Sequence, residues 1–275
     1  MIERIIFGCH NLTGGSSYGR SRRLVEAALG LGIRRFDVAP SYGLGTAETV
    51  LARALGSRRQ TVEITTKFGI LPTPLGWAAA WVREPYRTLR RLLAKEQTAG
   101  AMVPLPERAP ASHRPHEFPF SATTAVLQSL RRLGVDHVDA LLIHERIEGQ
   151  FALGLCDELA ELKRRGIIGR WGVSGARDNV RDMIARTGDP EIVQVAIADA
   201  DAYASAPELR LFNLGRLEPE TEAFGQGTQA QLAAEVATAL AARARRELIL
   251  RRNASILFNT GSISHLELFV KALGH

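Results

Sequence analysis

The sequence contains only two cysteines in 275 residues, Cys9 and Cys156, and neither lies at a metal-site spacing from other ligand residues. A disulfide framework is therefore excluded, and a reducing compartment is the simpler expectation. No apolar run reaches the about 18 residues that a membrane-spanning helix needs. The first residues include Glu3 and Arg4, which argues against a signal peptide. These absences predict a cytoplasmic protein that does not contact a membrane.

Lysine is also scarce, because 31 of the 35 basic residues are arginine. The net charge of +6 and the pI near 9.8 are typical of some nucleic-acid-binding proteins. The arginines, however, are scattered through nearly every segment, next to alanine and leucine, and form no basic face. We therefore expect no nucleic-acid partner. With 45% hydrophobic and 23% charged residues, the composition is that of an ordinary globular chain.

Short apolar runs alternate with helical patterns along the chain. Strands are predicted at 4–8, 35–38, 62–68, 138–143, 167–173, 192–196, 209–214 and 254–258. Helices are predicted at 20–31, 47–55, 124–133, 151–165, 178–186, 229–246 and 264–273, with the sixth helix short or missing. Eight βα units favour a single (β/α)8 TIM barrel over residues 1–275. The first βα turn lacks a G-x-G-x-x-G sequence, which disfavours a Rossmann fold.

A long loop, residues 69–118, interrupts this rhythm after the third strand. Eight of the twelve prolines lie between Phe68 and Ser121. Loops of this length often act as functional lids. Trp77, Trp81 and Tyr86 either line a substrate pocket or only attach the loop to the barrel. We expect the first half to pack and the second half to be mobile.

Reactive residues of parallel barrels lie at the carboxyl ends of strands. Four polar residues hold such positions here: Asp37, Tyr42, Lys67 and His144. Each has a plain structural alternative, such as bracing a loop or supporting another side chain. Lys67 follows a β-rich run, so its buried ammonium needs a partner, and Asp37 on the adjacent strand would supply it. A cation near Tyr42 is expected to lower the tyrosine pKa and make it a general acid.

Five motifs stand at or near the ends of the predicted strands: FDVAPSYGLGTAE (36–48), TKFG (66–69), DALLIHE (139–145), GIIGRWGVSG (166–175) and IVQV (192–195). Through these motifs the chain resembles the aldo-keto reductase family, in particular the branch with aldose 1-dehydrogenases and a pyridoxal dehydrogenase. The resemblance implies an NAD(P)(H)-dependent oxidoreductase that reduces an aldehyde or ketone, or oxidises an alcohol or sugar. In that family hydride comes from the nicotinamide. Tyr42 would donate the proton, and Lys67, held by Asp37, would adjust the acidity of Tyr42. His144 would orient the substrate.

The resemblance also implies a cofactor site without a metal. Ser174 and Gln194 match residues that bind the nicotinamide carboxamide, but Gly175 replaces a usual asparagine. The loop after the eighth strand occupies the place of the adenosine phosphates, and its candidate residues are Asn259, Thr260, Gly261, Ser262 and His265. No basic residue stands among Asn259–Gly261 or at His265 to grip a 2′-phosphate. NADPH remains the cofactor that the resemblance implies, and the missing basic residue weakens this expectation, so that NADH is possible.

Two alternatives remain open at this stage. The barrel could bind nucleotide with little catalysis, as a regulatory or sensing subunit. It could also be a lyase or isomerase that uses Lys67 as a Schiff base, although Asp37 would keep Lys67 protonated. Small carbonyl, sugar or alcohol substrates are the expected partners. The oligomeric state stays open, with a monomer slightly favoured.

Overall fold

Eight parallel strands close a barrel in the computed structural model, which describes residues 1–72, 113–115, 121–145, 154–214 and 229–274. In chain order the barrel strands are β1 (Ile5–Gly8), β2 (Arg35–Asp37), β3 (Glu63–Phe68), β6 (Val138–His144), β7 (Ile168–Ser174), β8 (Ile192–Ala196), β9 (Glu208–Phe212) and β10 (Ala254–Asn259). Around the barrel they follow the order β1-β10-β9-β8-β7-β6-β3-β2. The predicted (β/α)8 class is confirmed, with each of the eight predicted strands in place.

Helices cover the outside of the barrel. The α-helices of the described residues are α1 (Tyr18–Gly30), α2 (Ala47–Leu55), α3 (Ala122–Leu133), α4 (Leu155–Arg164), α5 (Arg177–Thr187), α6 (Gln229–Leu250) and α7 (Ile263–Gly274). Between β8 and β9 a 3-10 helix, Ile197–Tyr203, stands where a barrel normally has its sixth helix. The sixth unit is therefore shortened, as the short spacing between the two strands predicts. None of the described helices is long and apolar enough to cross a membrane.

Helix α3 shows how local sequence sets the element boundaries. The Ser121 hydroxyl accepts a hydrogen bond from the Thr124 amide at 3.3 Å, which satisfies one of the exposed donors of the first turn. The Glu158 carboxylate of α4 accepts another from the Ala122 amide at 2.9 Å. At the other end the helix stops at Gly134, which takes the left-handed conformation with φ of 65°. These contacts fix α3 between the third and fourth barrel strands.

Two short strands lie within the predicted 69–118 loop. β4 (Ile70–Pro72) and β5 (His113–Pro115) pair antiparallel, so the chain leaves and re-enters the barrel side by side. The sequence analysis did not predict this pair. The intervening residues, including Trp77, Trp81 and Tyr86, lie outside the described residues. The expected packing and lid motion of this loop stay predictions.

The apolar core has two unequal parts. The larger part lies between the strands and the helices and includes Leu141 and Ile143 of β6. Alternate residues of the same strand, Ala140 and Leu142, form a small inner cluster with Ile192 of β8. This alternation is the two-residue period of a strand. Much of the remaining barrel interior is polar, which distinguishes it from a barrel filled with branched apolar side chains.

The amino ends of the strands meet in an ionic floor, formed by Arg35, Glu63, Arg170, Glu208 and Arg210. The Glu208 carboxylate accepts from Arg35 and Arg170, and from Arg210 Nε at 2.9 Å. Glu63 Oε1 accepts from Arg170 at 3.0 Å and Arg210 at 3.1 Å, while Arg35 Nε donates to its Oε2 at 3.1 Å. Arg210 has no exposed surface. The sequence analysis treated the arginines as a feature of composition and did not predict that Arg35, Arg170 and Arg210 pair with two glutamates at one end of the barrel.

Candidate active site

The carboxyl ends of β2 and β3 bring three of the predicted residues together. Lys67 Nζ donates to Asp37 Oδ1 and to the Tyr42 hydroxyl, the latter at 2.9 Å. Both charged side chains are buried, Asp37 at 0% and Lys67 at 1% exposed. A buried ammonium is tolerable only with such a partner. The ammonium also lies 4.6 Å from the centroid of the Tyr42 ring, within cation–π range.

The backbone after β2 turns sharply to deliver Tyr42. A 3-10 turn, Tyr42–Gly45, contains Gly43 at φ 57°. A Cβ at Gly43 would lie 1.7 Å from the Leu12 carbonyl oxygen, so only glycine fits there. Leu44 also has a positive φ of 61° although it carries a side chain. The Y-G-L-G sequence thus folds Tyr42 back over the end of β3.

Backbone strain recurs at this end of the barrel. Besides Leu44, two non-glycine residues have positive φ: Glu145 directly after β6 and Asn213 directly after β9. Glu145 accepts from the Asn179 side chain at 2.7 Å, which holds the residue in place. Among the described residues, each positive-φ position outside glycine lies in a loop at the carboxyl ends of the strands. Such strain is typical of functional sites.

Two histidine rings flank Tyr42. His144, the last residue of β6, makes an edge contact with it, with ring centroids 6.0 Å apart and planes at 88°. His10, just after β1, makes a closer edge contact, at 5.1 Å and 75°. The sequence analysis missed His10, because the search for polar strand ends did not include β1. Placing the first strand at 4–8 already put this histidine at the same end as the others.

The pKa of Tyr42 does not shift in the expected direction. Burial raises this pKa, the Lys67 charge lowers it, and Asp37 raises it again, so that the net value lies above the ordinary one. The predicted lowering is therefore wrong, since the expectation considered the cation without burial and without the carboxylate. For Lys67, burial acts to lower the pKa, but Asp37 and Tyr42 outweigh it and raise it. Lys67 thus keeps its proton.

Cys9 lies beneath this cluster. The side chain has no exposed surface, and its thiol contacts the Phe7 carbonyl at 3.8 Å. Burial and the neighbouring Asp37 raise its pKa well above the ordinary value. Cys156, on α4, is exposed. Cys9 is therefore a packing residue of the site in its neutral thiol form.

Ser174 and Gln194 lie side by side on β7 and β8, where the strand register pairs them directly. Both are buried, each at 3% exposed. The side-chain oxygen Gln194 Oε1 has no hydrogen-bond partner within the described part of the chain, and the same holds for Asp37 Oδ2. A buried acceptor without a donor costs free energy. The site therefore has acceptor capacity that a bound amide or other donor would satisfy.

The loop from β10 to α7 lies at the same end of the barrel. The Asn259 side chain packs against Gly8, and a Cβ at position 8 would lie 1.7 Å from Asn259 Oδ1. Thr260 Oγ1 accepts from the Ser262 amide at 3.1 Å, which shapes the turn into α7. The exposed His265 follows in the first turn of that helix.

A basic residue reaches this loop from another element. Arg20 of α1 donates from Nη2 to the Gly261 carbonyl at 2.7 Å. The sequence analysis looked for a basic residue only within the loop itself and so did not find Arg20. Among the described residues, no group of three or more histidine, cysteine or acidic side chains is arranged to hold a metal.

The comparisons with known proteins agree with this architecture. The model of the aldo/keto reductase family matches residues 4–198, and the chain belongs to that family. Among relatives, it is 26% identical over 204 residues to D-threo-aldose 1-dehydrogenase from Pseudomonas sp, covering 68% of this chain and 53% of that protein. It is 30% identical over 148 residues to 6-dehydroglucose reductase from Agrobacterium fabrum, covering 52% of this chain and 40% of that protein.

Among solved structures, an aldo-keto reductase from Klebsiella pneumoniae in complex with NADPH aligns with a TM-score of 0.64. The two are 20% identical, and the alignment covers 99% of this chain and 86% of that one. This likeness shows the barrel fold. The chain spans about half the length of the curated relatives that it matches.

Proposed function

We propose that the protein is an NAD(P)(H)-dependent oxidoreductase that interconverts a small aldehyde or ketone and its alcohol. The observation that carries this proposal is the Lys67 ammonium, which bridges the buried Asp37 carboxylate and the Tyr42 hydroxyl. A general acid must stand within hydrogen-bond reach of its reaction partner and be held in place. Tyr42 meets the second condition through Lys67, and its ring is partly exposed towards the mouth of the barrel.

The residues present fit a nicotinamide cofactor. The unpaired Gln194 Oε1 would accept from a carboxamide, and Ser174 beside it offers a hydroxyl. When bound, the reduced nicotinamide supplies a hydride to the carbonyl carbon. The turn at 259–262 and the start of α7 offer backbone amides for phosphate oxygens. NADPH is the cofactor that we propose, with Arg20, which donates to the Gly261 carbonyl, as a basic group beside this loop, and NADH is the alternative.

In reduction, Tyr42 donates its proton to the carbonyl oxygen. The proton then belongs to the product alcohol, and the phenolate is stabilised by the adjacent Lys67 ammonium until it is protonated again. His144 would orient the same carbonyl oxygen. The raised pKa of Lys67 disfavours the Schiff-base alternative, because a protonated amine is not a nucleophile.

The test is a fluorescence titration of the purified full chain with NADPH and NADH, followed by turnover on a panel of aldehydes, ketones and sugars. The proposal expects micromolar binding of at least one nucleotide and turnover that depends on it. Nucleotide binding with no turnover on any substrate of the panel would favour the regulatory alternative. Because residues 259–261 and His265 include no lysine or arginine, we expect the preference for NADPH over NADH to be modest. A preference above a thousandfold would contradict this expectation. A cytoplasmic location and a monomeric state stay predictions.

A further inference from the structure

The loop after β1 brings a second imidazole, that of His10, into edge contact with the Tyr42 ring. His10 belongs to a 3-10 turn, Cys9–Asn11, held between two buried residues. Cys9 and Leu12 both have no exposed surface, and the Leu12 amide donates to the Cys9 carbonyl at 3.0 Å. The side chain of His10 itself is exposed. A turn that is anchored by buried residues on both sides thus presents an exposed imidazole, whose centroid lies 5.1 Å from that of the Tyr42 ring.

His10 and His144 approach Tyr42 from different sides of the barrel rim. In the strand order, β1 and β6 stand on either side of the β2–β3 pair that carries Asp37, Tyr42 and Lys67. A carbonyl oxygen in contact with the Tyr42 hydroxyl therefore has an imidazole on each side. His144 lies on one side, and a substituent of the carbonyl carbon that extends towards β1 meets His10.

We propose that His10 determines specificity by binding a hydroxyl group on the carbon next to the substrate carbonyl. A neutral imidazole both donates and accepts a hydrogen bond, as a hydroxyl does. Asn11, the next residue, is exposed as well and lies 3.8 Å from the position of a Gly261 Cβ, so the turn spans from Tyr42 to the loop after β10. This side of the mouth thus offers polar contacts, and it matches an α-hydroxy aldehyde or ketone. The inference rests on the proposed function and names its substrate class.

The alternative is that His10 only packs against Tyr42. An edge-to-face ring pair contributes stability on its own. Phenylalanine retains the ring contact and loses the hydrogen bond, whereas asparagine loses the ring and keeps a donor and an acceptor. The two substitutions therefore separate packing from substrate recognition.

The experiment compares kcat/KM for 2-hydroxypropanal and propanal in the wild-type full chain, His10→Phe and His10→Asn. These aldehydes share a three-carbon skeleton and differ only in the hydroxyl on the carbon next to the carbonyl. The proposal expects His10→Phe to lower the ratio of the two kcat/KM values five- to tenfold, mostly through KM, and His10→Asn to restore part of it. His137→Phe is the matched control, because His137 is exposed just before β6, at the opposite end of the barrel. It should leave the ratio unchanged.

Three outcomes would overturn the inference. Equal losses on both aldehydes in His10→Phe would assign His10 to positioning Tyr42. A larger loss in His10→Asn than in His10→Phe would assign it to ring packing. Wild-type protein that binds nucleotide and reduces neither aldehyde nor any other carbonyl would refute the proposed function, and with it this role. Thermal unfolding of each variant establishes that the compared proteins are folded.

Discussion

The two ends of the barrel treat buried charge in opposite ways. In the ionic floor, each carboxylate accepts from three guanidinium groups, so that the hydrogen-bonding capacity of both glutamates is used. At the mouth, Asp37 Oδ2 and Gln194 Oε1 are buried and have no hydrogen-bond partner among the residues that the structure describes. Satisfied networks stabilise a fold, whereas unsatisfied groups reduce stability until a ligand pairs with them. The floor is therefore expected to contribute stability, whereas the mouth carries acceptor groups that a ligand could pair with.

The largest expected effect tests the mouth. Tyr42→Phe should lower kcat by about 10²–10⁴, since it removes the proposed general acid and leaves the ring in place. Nucleotide affinity should stay within about twofold, and the free energy of unfolding within about 1 kcal/mol, because one hydrogen bond is lost. Steady-state kinetics, fluorescence titration and urea unfolding measure the three quantities. A kcat near that of the wild type would remove Tyr42 from the proposed role.

A substitution in the ionic floor should lower the free energy of unfolding and leave activity nearly unchanged. Glu208→Gln leaves Arg210 and its neighbours with excess buried charge, so we expect a loss of roughly 3 kcal/mol. Values of kcat/KM should stay within about twofold. Glu161→Gln is the matched control, because Glu161 pairs with Arg164 on the exposed face of α4, and it should cost less than about 1 kcal/mol. Similar losses in both variants would mean that the floor is no more stabilising than a surface pair.

The pH dependence of the free energy of unfolding should test the same ionic floor in the wild type. Burial acts to raise the pKa of Glu208, but Arg210 and Arg35 outweigh it and lower the pKa from 4.5 to about 2. A depressed folded-state pKa gives stability that is complete above the unfolded value and is lost as the pH falls towards 2. The wild type should therefore lose up to roughly 3 kcal/mol more than Glu208→Gln between pH 5 and pH 2. Parallel pH dependences in urea unfolding would contradict this assignment.

Gln194→Leu should separate binding from stability at the mouth. The apolar side chain removes an unsatisfied buried acceptor, so the free energy of unfolding should be unchanged or slightly higher. Nucleotide affinity should fall about five- to tenfold, which corresponds to one hydrogen bond of about 1 kcal/mol. Fluorescence titration and urea unfolding on the same preparation test both halves. A variant that is less stable and binds nucleotide with unchanged affinity would show that Gln194 stabilises the fold and does not bind the cofactor.

The smallest expected effect is a flat pH profile in reduction. Since the pKa of Tyr42 is raised, the hydroxyl keeps its proton through neutral and mildly basic pH. The rate constant kcat for carbonyl reduction should therefore not fall between pH 6 and 9 through titration of Tyr42. The reverse oxidation needs the phenolate and should rise with pH over the same interval. A reduction rate that falls about tenfold by pH 9 in the wild type, and not in a variant without Tyr42, would instead indicate that the pKa of Tyr42 is lowered.

The sequence predicted the barrel because the βα rhythm is local, and it predicted the Asp37–Lys67 pair because both stand at ends of adjacent strands. It failed where distant positions converge. Arg35, Arg170 and Arg210 are far apart in the chain, and only closure of the barrel brings them to one floor. The usable signal was charge at the first residue of strands, as in Arg35, Glu63 and Glu208. The direction of the Tyr42 pKa needed burial, which the sequence does not supply.

The two cysteines differ in exposure, so thiol labelling can measure local opening of the barrel. A thiol reagent added to the native protein meets Cys156 at the surface, whereas Cys9 is fully buried close to Asp37 and Lys67. Cys9 can react only when the structure around it opens, so its labelling rate reports the population of open molecules, or the rate of opening when labelling is faster than reclosing. A nucleotide bound at the mouth should slow the labelling of Cys9 and leave the labelling of Cys156 unchanged. The difference between the two thiols would then measure how far nucleotide binding suppresses local opening.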